Sequence, residues 1–329
     1  MSKTKRRFSL LHSAAATALL TVAAALAGHP TASAQLIYGI GGTDTGAGPN
    51  AAAYTLFSFN AATPGATTAV GTVTPSAGFL LESIAFQPTT GQLFGYQFNA
   101  TNNSGQLVTI NRATGALTAL NSPFVVGSIT GNSGASAAIS FNPVNGAIRL
   151  DTGTFGNYRF SALGAFIAQD QNLQYVAGDT NSGKTFQIST IAYLQNNPTT
   201  LYGIDYINNA LVTQNITAGT ADPSGRLTTV GFTGLTSTQG PGSQGITLGL
   251  NGVAYLSTNV NTDTTVQDRL YTVSLTTGAA TGGVLIGNSA TFNTVSIAAF
   301  VPEPGTYALL GLGGAAMLLV VVRRQRRAA

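Results

Sequence analysis

The chain of 329 residues contains no cysteine and no tryptophan, and both of its histidines lie within the first 34 residues. Its only methionines are Met1 and Met317, so residues 35–300 lack His, Cys, Met and Trp altogether. These absences exclude cysteine nucleophiles, histidine bases, Ser-His-Asp triads and the usual zinc and copper ligands from that stretch. They also exclude disulfides, so the fold must rest on a hydrophobic core, which about 266 residues can readily form.

Charged side chains make up only 7% of the chain, and they are unevenly placed. Eight of the fourteen Lys and Arg residues lie in the first seven or the last seven residues. Residues 35–300 keep six basic and nine acidic side chains, a net charge of −3, although the whole chain carries +4. The pI of 9.4 therefore belongs to the two ends, and no nucleic-acid partner is predicted.

The first 34 residues have the layout of a secretory signal peptide. A basic start is followed by an apolar run from Leu10 to Ala27, and the small residues Ala32 and Ala34 precede a cleavage site after Ala34. An uncleaved membrane anchor is the alternative, although the alanine-rich run ends in a cleavage site. The basic residues are Lys3, Lys5, Arg6 and Arg7.

The last 29 residues, 301–329, combine three features. The motif Val301-Pro302-Glu303-Pro304 is followed by an uncharged run from Tyr307 to Val322. Sixteen helical residues reach about 24 Å, short of the ~30 Å hydrocarbon core, but flanking residues and snorkelling arginines can cover the rest. The arginines should stay cytoplasmic, which places residues 35–300 on the far side of the membrane. They are Arg323, Arg324, Arg326 and Arg327.

This order of motif, apolar helix and arginine cluster resembles the PEP-CTERM sorting signal of Gram-negative bacteria. The resemblance implies recognition by an exosortase, cleavage near Pro302–Pro304, and release or attachment at the cell surface, often alongside exopolysaccharide and biofilm production. A plain single-span anchor with a proline hinge is the alternative. We therefore expect a signal peptide at 1–34, an exported domain at 35–300 and a sorting signal at 301–329.

A strand-turn-strand motif recurs four times in the exported domain, with successive copies 55, 52 and 55 residues apart. Proline early in the turn and glycine late in it suit the backbone of a tight turn. A second hairpin follows within the period, most clearly at Leu107–Thr118 and Leu270–Thr281, so each period holds four strands, as a propeller blade does. The copies begin at Ile84, Ile139, Ile191 and Ile246.

The two ends of the array complement each other. Leu36–Ile40 resembles the second strand of the repeat, and Val295–Phe300 resembles the first. Pairing them completes a fifth blade and removes an open sheet edge. The sequence therefore predicts an all-β, five-bladed β-propeller closed by its N- and C-terminal strands, flanked by a signal helix and a C-terminal transmembrane helix. A six-bladed ring with one degenerate blade and an open β-sandwich are the alternatives.

The hairpins also resemble those of the DUF4394 family of bacterial exported domains, over roughly residues 36–300. The resemblance rests on short motifs such as Leu201-Tyr202-Gly203-Ile204-Asp205 and Gly178-Asp179-Thr180-Asn181-Ser182-Gly183. Leu248-Gly249-Leu250 departs from it by lacking a polar turn, and Asn157-Tyr158-Arg159-Phe160 is atypical. Because the family has no assigned activity, the resemblance implies fold and export but no chemistry.

Three acids near strand ends, Glu82, Asp151 and Asp205, are the candidates for catalysis. If they converged on the central channel of a propeller, a pair of them would suit glycoside hydrolysis. That interpretation is a fold-level analogy. The preferred interpretation is that they cap turns and form ion pairs with Arg149 or Arg159, so no catalytic residue is assigned.

The remaining polar features have ordinary structural explanations. Asp179-Thr180-Asn181 offers too few oxygens for a full calcium site, so an Asx-turn is preferred. Lys184 is expected to be a solvated charge, and the glycine-rich Gly41–Gly48 lacks the Lys-Ser/Thr of a phosphate loop. No metal or cofactor is expected. Five tyrosines could stack on sugars but are more typical of a core: Tyr54, Tyr96, Tyr175, Tyr193 and Tyr202.

We therefore expect an exported surface or extracellular-matrix protein, processed by signal peptidase and an exosortase and held in the membrane through residues 307–322 until it is sorted. Its propeller is expected to bind a protein or a polysaccharide without catalysis. A carbohydrate-active hydrolase that uses Asp or Glu in the propeller channel is the alternative, and a structural filler is a third. A carboxylate-lined channel would favour the hydrolase, and an exposed tyrosine-lined groove would favour binding.

Overall fold

The computed structural model describes residues 35–43, 54–126, 137–153, 155–194, 197–215, 225–235, 244–249, 252–259, 268–287 and 292–300. Across these ranges no helix is long and apolar enough to cross a bilayer. The signal helix and the transmembrane helix expected at 307–322 lie outside the described residues. So do the cleavage-site residues, the PEP motif and the arginine cluster.

The described residues form 22 strands. In chain order they are β1 (Leu36–Thr43), β2 (Tyr54–Asn60), β3 (Thr63–Val73), β4 (Leu80–Phe86), β5 (Leu93–Asn99), β6 (Ser104–Ile110), β7 (Leu117–Ala119), β8 (Phe124–Val125), β9 (Ala137–Phe141), β10 (Ile148–Thr152) and β11 (Gly156–Phe160). They continue with β12 (Phe166–Gln169), β13 (Gln174–Tyr175), β14 (Ile188–Leu194), β15 (Asn197–Asp205), β16 (Ala210–Asn215), β17 (Arg226–Phe232), β18 (Gln244–Leu248), β19 (Ala254–Asn259), β20 (Asp268–Val273), β21 (Ala280–Leu285) and β22 (Phe292–Ala299).

These strands form five sheets, each of which is one blade of a propeller. Blade 1 has the order β22-β1-β2-β3, blade 2 the order β4-β5-β6-β7 with β8 beside β6, and blade 3 the order β9-β10-β11-β12. Blade 4 has the order β14-β15-β16-β17-β13, and blade 5 the order β18-β19-β20-β21. The five-bladed propeller is confirmed, and the six-bladed ring and the open sandwich are excluded.

The two ends of the chain close the ring. β1 and β22 pair antiparallel, with Ile37 opposite Ala299 and Gly39 opposite Ile297. The Phe300 amide donates to the Leu36 carbonyl at 2.8 Å, and the Gln35 amide side chain donates to the Phe300 carbonyl at 3.0 Å. The closure predicted from Leu36–Ile40 and Val295–Phe300 is therefore confirmed, and it holds Gln35 beside Phe300.

Five inner strands surround the axis: β22, β4, β9, β14 and β18. We call the end of the propeller where they finish, at residues such as Phe86 and Ala299, the tail end. The opposite end, where they begin, is the far end. Both Gln35 and Phe300 lie at the tail end, because β1 starts and β22 finishes there.

Apolar side chains fill the spaces between neighbouring blades, because successive residues of a strand face opposite sides of its sheet. Between blades 2 and 3, for example, Tyr96 and Leu107 pack with Ile139 and Phe160. Between blades 1 and 2, Leu56 packs with Ile84. The propeller is thus held by five inter-blade cores rather than by one central core.

A side-chain hydroxyl links each inner strand to the next one through a hydrogen bond. In every case a Ser or Thr oxygen accepts from a backbone amide of the adjoining inner strand, so one amide at each junction is satisfied without a ladder partner. The five donor and acceptor pairs are Ile84 to Ser296 (3.2 Å), Ile139 to Ser83 (3.1 Å), Tyr193 to Ser140 (3.0 Å), Ile246 to Thr190 (2.9 Å) and Ala299 to Thr247 (2.7 Å).

Two outer contacts between blades require glycine. A Cβ on Gly71 of blade 1 would lie 2.1 Å from the Thr114 carbonyl oxygen in a turn of blade 2. A Cβ on Gly231 of blade 4 would lie 2.0 Å from the Thr277 carbonyl oxygen in the corresponding turn of blade 5. The same Thr-Gly turn therefore packs against a glycine of the preceding outer strand at both junctions.

Candidate functional site

The axial cavity is the natural place to look for a site in a propeller. Its volume is about 30 Å³, which holds a water molecule or two but no sugar ring. No acidic or basic side chain lies among its lining residues. They belong to Ile84–Phe86, Ile139–Ser140, Ile191–Tyr193, Ile246–Leu248 and Ile297–Ala299.

The three acids proposed as catalytic candidates therefore do not converge on the channel. Asp205 is fully buried and serves as a turn residue of blade 4. Its carboxylate accepts from the Tyr175 hydroxyl at 2.6 Å and from the backbone amides of Gln187 and Ile207 at 3.2 and 3.1 Å. The Asn208 side chain donates to it at 2.6 Å. The turn-capping interpretation is confirmed for Asp205.

Glu82 lies at the far end of β4, between blades, where the pairing of β4 with β5 shifts register. Burial raises the pKa of its carboxyl to about 8. The same carboxylate raises the pKa of Tyr96, whose hydroxyl is buried, although burial is the larger cause of that shift. The Glu82 carboxyl is therefore expected to be mostly protonated near neutral pH.

Blade 3 contains a buried charge cluster that the sequence did not indicate. Arg149 and Asp170 are almost fully enclosed, with 1% and 2% of their side chains exposed, and they meet at 2.7 Å. Arg159 approaches the same carboxylate through Nε at 2.7 Å and Nη2 at 2.8 Å. Arg149 also donates to the Asn157 side chain. From the sequence, these arginines are expected to form ion pairs with the candidate acids. That expectation is wrong for the ion pairs that the structure describes, because Arg149 and Arg159 both pair with Asp170.

Asp151 lies one pleat along β10 from Arg149 and on the same face of blade 3. Both of its carboxylate oxygens are buried without a hydrogen-bond partner among the described residues. Burial raises the pKa of Asp151 to about 7, the nearby Arg149 guanidinium opposes the shift, and Asp170 adds to it. Asp268 of blade 5 is similar, since burial raises its pKa well above the ordinary value despite a hydrogen bond with Thr294.

These buried acids predict that the propeller is more stable in mildly acidic solution than at alkaline pH. The Asp151 carboxyl titrates near 4 in the unfolded chain but near 7 in the fold, so the native state binds this proton more tightly. The contribution of Asp151 to stability is therefore fully present below about pH 4 and is lost as pH rises through 7, at roughly 1.4 kcal/mol per pKa unit. Urea unfolding of the wild type at pH 5 and pH 8 measures the difference.

Asp151→Asn is the matched variant, since it keeps the side-chain shape and removes the titration. We expect it to narrow the gap between the unfolding free energies at pH 5 and pH 8 by on the order of a few kcal/mol. Glu82→Gln should narrow the same gap independently, because that pKa is also raised. A wild type that is equally stable or more stable at pH 8 would contradict the assignment.

The Asp179 loop forms the Asx-turn predicted from the sequence. Asp179 accepts from the Asn181 amide at 2.8 Å and from the Thr229 amide and hydroxyl at 2.8 and 2.7 Å. Burial acts to raise the pKa of this carboxyl, but these hydrogen bonds outweigh it and lower the pKa. Lys184 donates to the Asn181 side chain at 2.9 Å. Within the described ranges, no cluster of three or more His, Cys, Asp or Glu side chains could hold a metal ion.

The tyrosines do not form a stacking surface. Four of the five proposed for sugar binding are buried, and Tyr202 is half-buried. Gly41–Gly48 begins inside β1, and its residues 44–48 lie outside the described residues. Neither a carboxylate-lined channel nor an exposed tyrosine groove is therefore present in the part of the chain that the structure describes.

An aromatic cluster fixes the last described residue at the tail end. The Phe300 ring lies 5.3 Å from the ring of Phe86 and 6.3 Å from that of Tyr38, measured between centroids. The Arg112 guanidinium lies 4.9 Å from the Phe300 centroid, within the range of a cation–π contact. The residue that precedes Val301 is thus held both by its backbone and by its side chain.

Large apolar side chains are exposed mainly on blade 3. Of the ten such residues described, five belong to this blade and its turns, and Leu163 is the most exposed at 81%. Scattered exposed apolar residues are ordinary, but a concentration on one blade marks a surface suited to contact with another molecule. The five are Val144, Phe155, Leu163, Phe166 and Ile167.

Comparison with known proteins agrees with the two resemblances seen in the sequence. Residues 55–298 match the family described as Domain of unknown function (DUF4394), and residues 300–327 match the PEP-CTERM protein-sorting motif. No curated protein matches the chain.

Several solved structures are similar to the chain at low identity. A protein from Lactobacillus plantarum is 17% identical with a TM-score of 0.42, over 80% of this chain and 70% of that one. A putative 6-phosphogluconolactonase from Bacteroides fragilis is 17% identical with a TM-score of 0.38, over 79% and 85%. A protein of unknown function from Bacteroides thetaiotaomicron is 13% identical with a TM-score of 0.42, over 82% and 65%. At such identities and TM-scores these likenesses carry no inference about activity.

Proposed function

The chain belongs to the DUF4394 family and carries a PEP-CTERM sorting motif, and on that basis we propose that it is a non-catalytic interaction module sorted to the bacterial cell surface or extracellular matrix. The motif marks an exported protein that an exosortase-type enzyme processes and that is sorted to the cell envelope. The finer proposal concerns what the propeller does there: it binds an envelope polysaccharide or a surface protein, in a Gram-negative bacterium that builds such a matrix.

The observation that carries the proposal is the position of the sorting motif. It begins at residue 300, directly after the strand that closes the propeller. We propose a signal peptide at 1–34 cut after Ala34, the motif Val301–Pro304, a membrane helix at 307–322, and Arg323, Arg324, Arg326 and Arg327 as cytoplasmic charges. The chain would then pass through a membrane-held intermediate before the tail is removed.

Binding is favoured over hydrolysis by the geometry of the described acids. A glycosidase needs two carboxyl groups on either side of the scissile bond, roughly 5–10 Å apart and open to the sugar. Of the three candidates, Asp151 and Asp205 are buried and Glu82 is half-buried, and none of them lines the axial cavity, which is too small for a sugar ring. On the outermost strand of blade 3, Phe166 and Ile167 are exposed and suit contact with a partner.

One experiment tests first the sorting of the protein and then its ligand. The full chain is expressed in a host that contains an exosortase, beside a variant in which Pro302, Glu303 and Pro304 are all replaced by Ala. We expect the wild type to reach the surface or the medium in a shortened form and the variant to accumulate uncut in the membrane fraction. Equal processing of both chains would overturn the sorting proposal.

The processed wild type is then applied to an array of bacterial polysaccharides and scored both for retention and for cleavage. Retention without cleavage supports a binding module with a polysaccharide ligand. Cleavage of any glycan that Asp151→Asn and Glu82→Gln abolish would instead establish the hydrolase. If no glycan is retained, the polysaccharide ligand is overturned. A surface-protein ligand then requires that wild type, but not the blade 3 variant Phe166→Ser, retain a protein from the host envelope, and failure of both to retain one overturns the interaction module.

A further inference from the structure

We propose that, while the precursor is still anchored, the propeller lies with its tail end against the lipid surface and its far end turned away from it. This inference rests on the proposed membrane helix at 307–322 and adds to it the face that meets the membrane and the face that is left for partners. Three observations support it: the position at which the described chain ends, the number of residues between that point and the proposed membrane helix, and the charge of the tail-end turns.

The first observation is the fixed point at which the chain leaves the propeller. Phe300 is bonded to Leu36 and Gln35 through its backbone, and its ring packs among Phe86, Tyr38 and Arg112. Five separate contacts thus hold this residue at the tail end, so the sorting tail starts at a defined place rather than from a loose strand.

The second observation is the length of chain between that point and the proposed membrane helix. Only residues 301–306 separate Phe300 from Tyr307, and seven fully extended residue steps span at most about 25 Å. A seven-residue strand such as β5 already takes up about 23 Å of the height of the blade. Because Phe300 follows the innermost strand of a four-stranded blade, the link would also have to cross three strand spacings, about 14 Å, before it could run down the blade. It is therefore too short to bring the far end to the bilayer.

The third observation is the chemistry of the tail-end turns. In the described turns at 60–63, 87–92, 111–116, 142–147, 161–165, 252–253 and 274–279, Arg112 is the single charged residue. No carboxylate is present in them to repel anionic headgroups. Two of the most exposed apolar residues, Val144 at 62% and Leu163 at 81%, lie in these same turns and suit an interfacial position.

The acids of the inner and middle strands do not decide which end faces the membrane. Glu82, Asp151, Asp205 and Asp268 lie in the halves of their strands nearer the far end, but Asp151, Asp205 and Asp268 are buried and burial raises the pKa of Glu82, so they place little charge on that face. In the proposed orientation a partner such as a matrix polysaccharide would meet the far end first, while the tail end is covered by the membrane until the tail is cut. Cleavage would then expose the tail-end turns for the first time.

Because the chain has no cysteine, a single introduced thiol reports the distance of one site from the membrane without background labelling. Thr89→Cys and Thr101→Cys form a matched pair: both replace exposed turn threonines of blade 2, at the tail end and the far end of β5 respectively. Each full-length variant is reconstituted into phosphatidylcholine vesicles with phosphatidylglycerol, labelled with a fluorescent maleimide, and quenched with headgroup spin-labelled lipid.

We expect the label at position 89 to be quenched several-fold more strongly than the label at position 101. Equal quenching at the two positions, or stronger quenching at 101, in protein that floats with the vesicles would overturn the orientation and leave the membrane anchor intact. Protein that fails to float with vesicles would instead overturn the anchor, and the orientation with it. Matching melting temperatures of the two variants establish that neither thiol disturbs the fold.

Discussion

A chain that starts at Gln35 and stops at Thr294 is expected to lose cooperative folding, whereas a chain that stops at Phe300 keeps it. The deletion removes five of the eight residues of β22, the strand that closes the ring, and Phe300 after it. Val295, Ile297 and Ala298 are buried in it, and each large apolar side chain that becomes exposed costs about 1.5–3 kcal/mol. Two inter-blade bonds, Ile84 to Ser296 and Ala299 to Thr247, are lost as well.

The summed loss is comparable with the whole stability of a domain, which is typically about 5–15 kcal/mol. It also leaves the inner edge of β1 unpaired, and an open apolar edge favours aggregation. Circular dichroism and calorimetric melting of the two chains measure the effect. The chain that ends at Phe300 is the control, because it lacks the same sorting tail and differs only in the closing strand.

A synthetic peptide of residues 292–300 provides a second test of the closure. If the truncated chain retains partly formed blades, adding the peptide should restore a cooperative transition that depends on peptide concentration, as expected for a ligand that binds the native state alone. A truncated chain that melts within a few degrees of the control without peptide would show that the ring does not need its terminal strand.

The fold could be predicted from the sequence because the residues that recur in its repeat determine local structure, namely the strands and the turns between them. Ile84 lies opposite Gly95 in the structure, Ile191 opposite Gly203, and Ile297 opposite Gly39. Three of the five blades thus share a register in which an inner-strand isoleucine faces a glycine of the second strand, while in the other two Ile139 faces Leu150 and Ile246 faces Leu256. The short strand β13 escaped prediction, because two residues, Gln174 and Tyr175, carry no periodicity and pair parallel with β17.

The polar interior could not be predicted, because it depends on which side chains meet across blades. Asp170 directly follows β12 and contacts Arg149, which lies 21 residues earlier in the chain. The pairing of β11 with β12 shifts register between Arg159 and Phe160. A register shift of this kind leaves no signal in composition. The hydroxyls that join the inner strands also leave no signal in the sequence. Ser83, for example, looks like any other strand residue until the structure shows that its hydroxyl accepts from the backbone amide of Ile139.

Asp170→Ala is expected to destabilise the propeller by about 3–5 kcal/mol, the usual cost of removing one partner of a buried ion pair. The variant leaves Arg149 charged, enclosed and deprived of its counter-ion, with the Asp151 carboxyl still close enough to interact with it. At about 2–4 °C per kcal/mol for a domain of this size, the melting temperature should fall by on the order of 10 °C. Thermal and urea unfolding at pH 7 measure both quantities.

Arg159→Met is the matched comparison, because it removes the other cation of the cluster. The Arg159 side chain is 29% exposed, and its loss leaves the buried pair of Arg149 with Asp170 intact, so the expected cost is about 1 kcal/mol. The double variant Arg149→Met with Asp170→Leu should recover much of the stability that Asp170→Ala loses, because apolar replacements of a buried pair leave no unpaired charge. If the double variant is no more stable than Asp170→Ala, the loss comes from packing and hydrogen bonds around Asp170, and the stranded charge of Arg149 is not its cause. An Asp170→Ala variant as stable as Arg159→Met would contradict the enclosure of the pair itself.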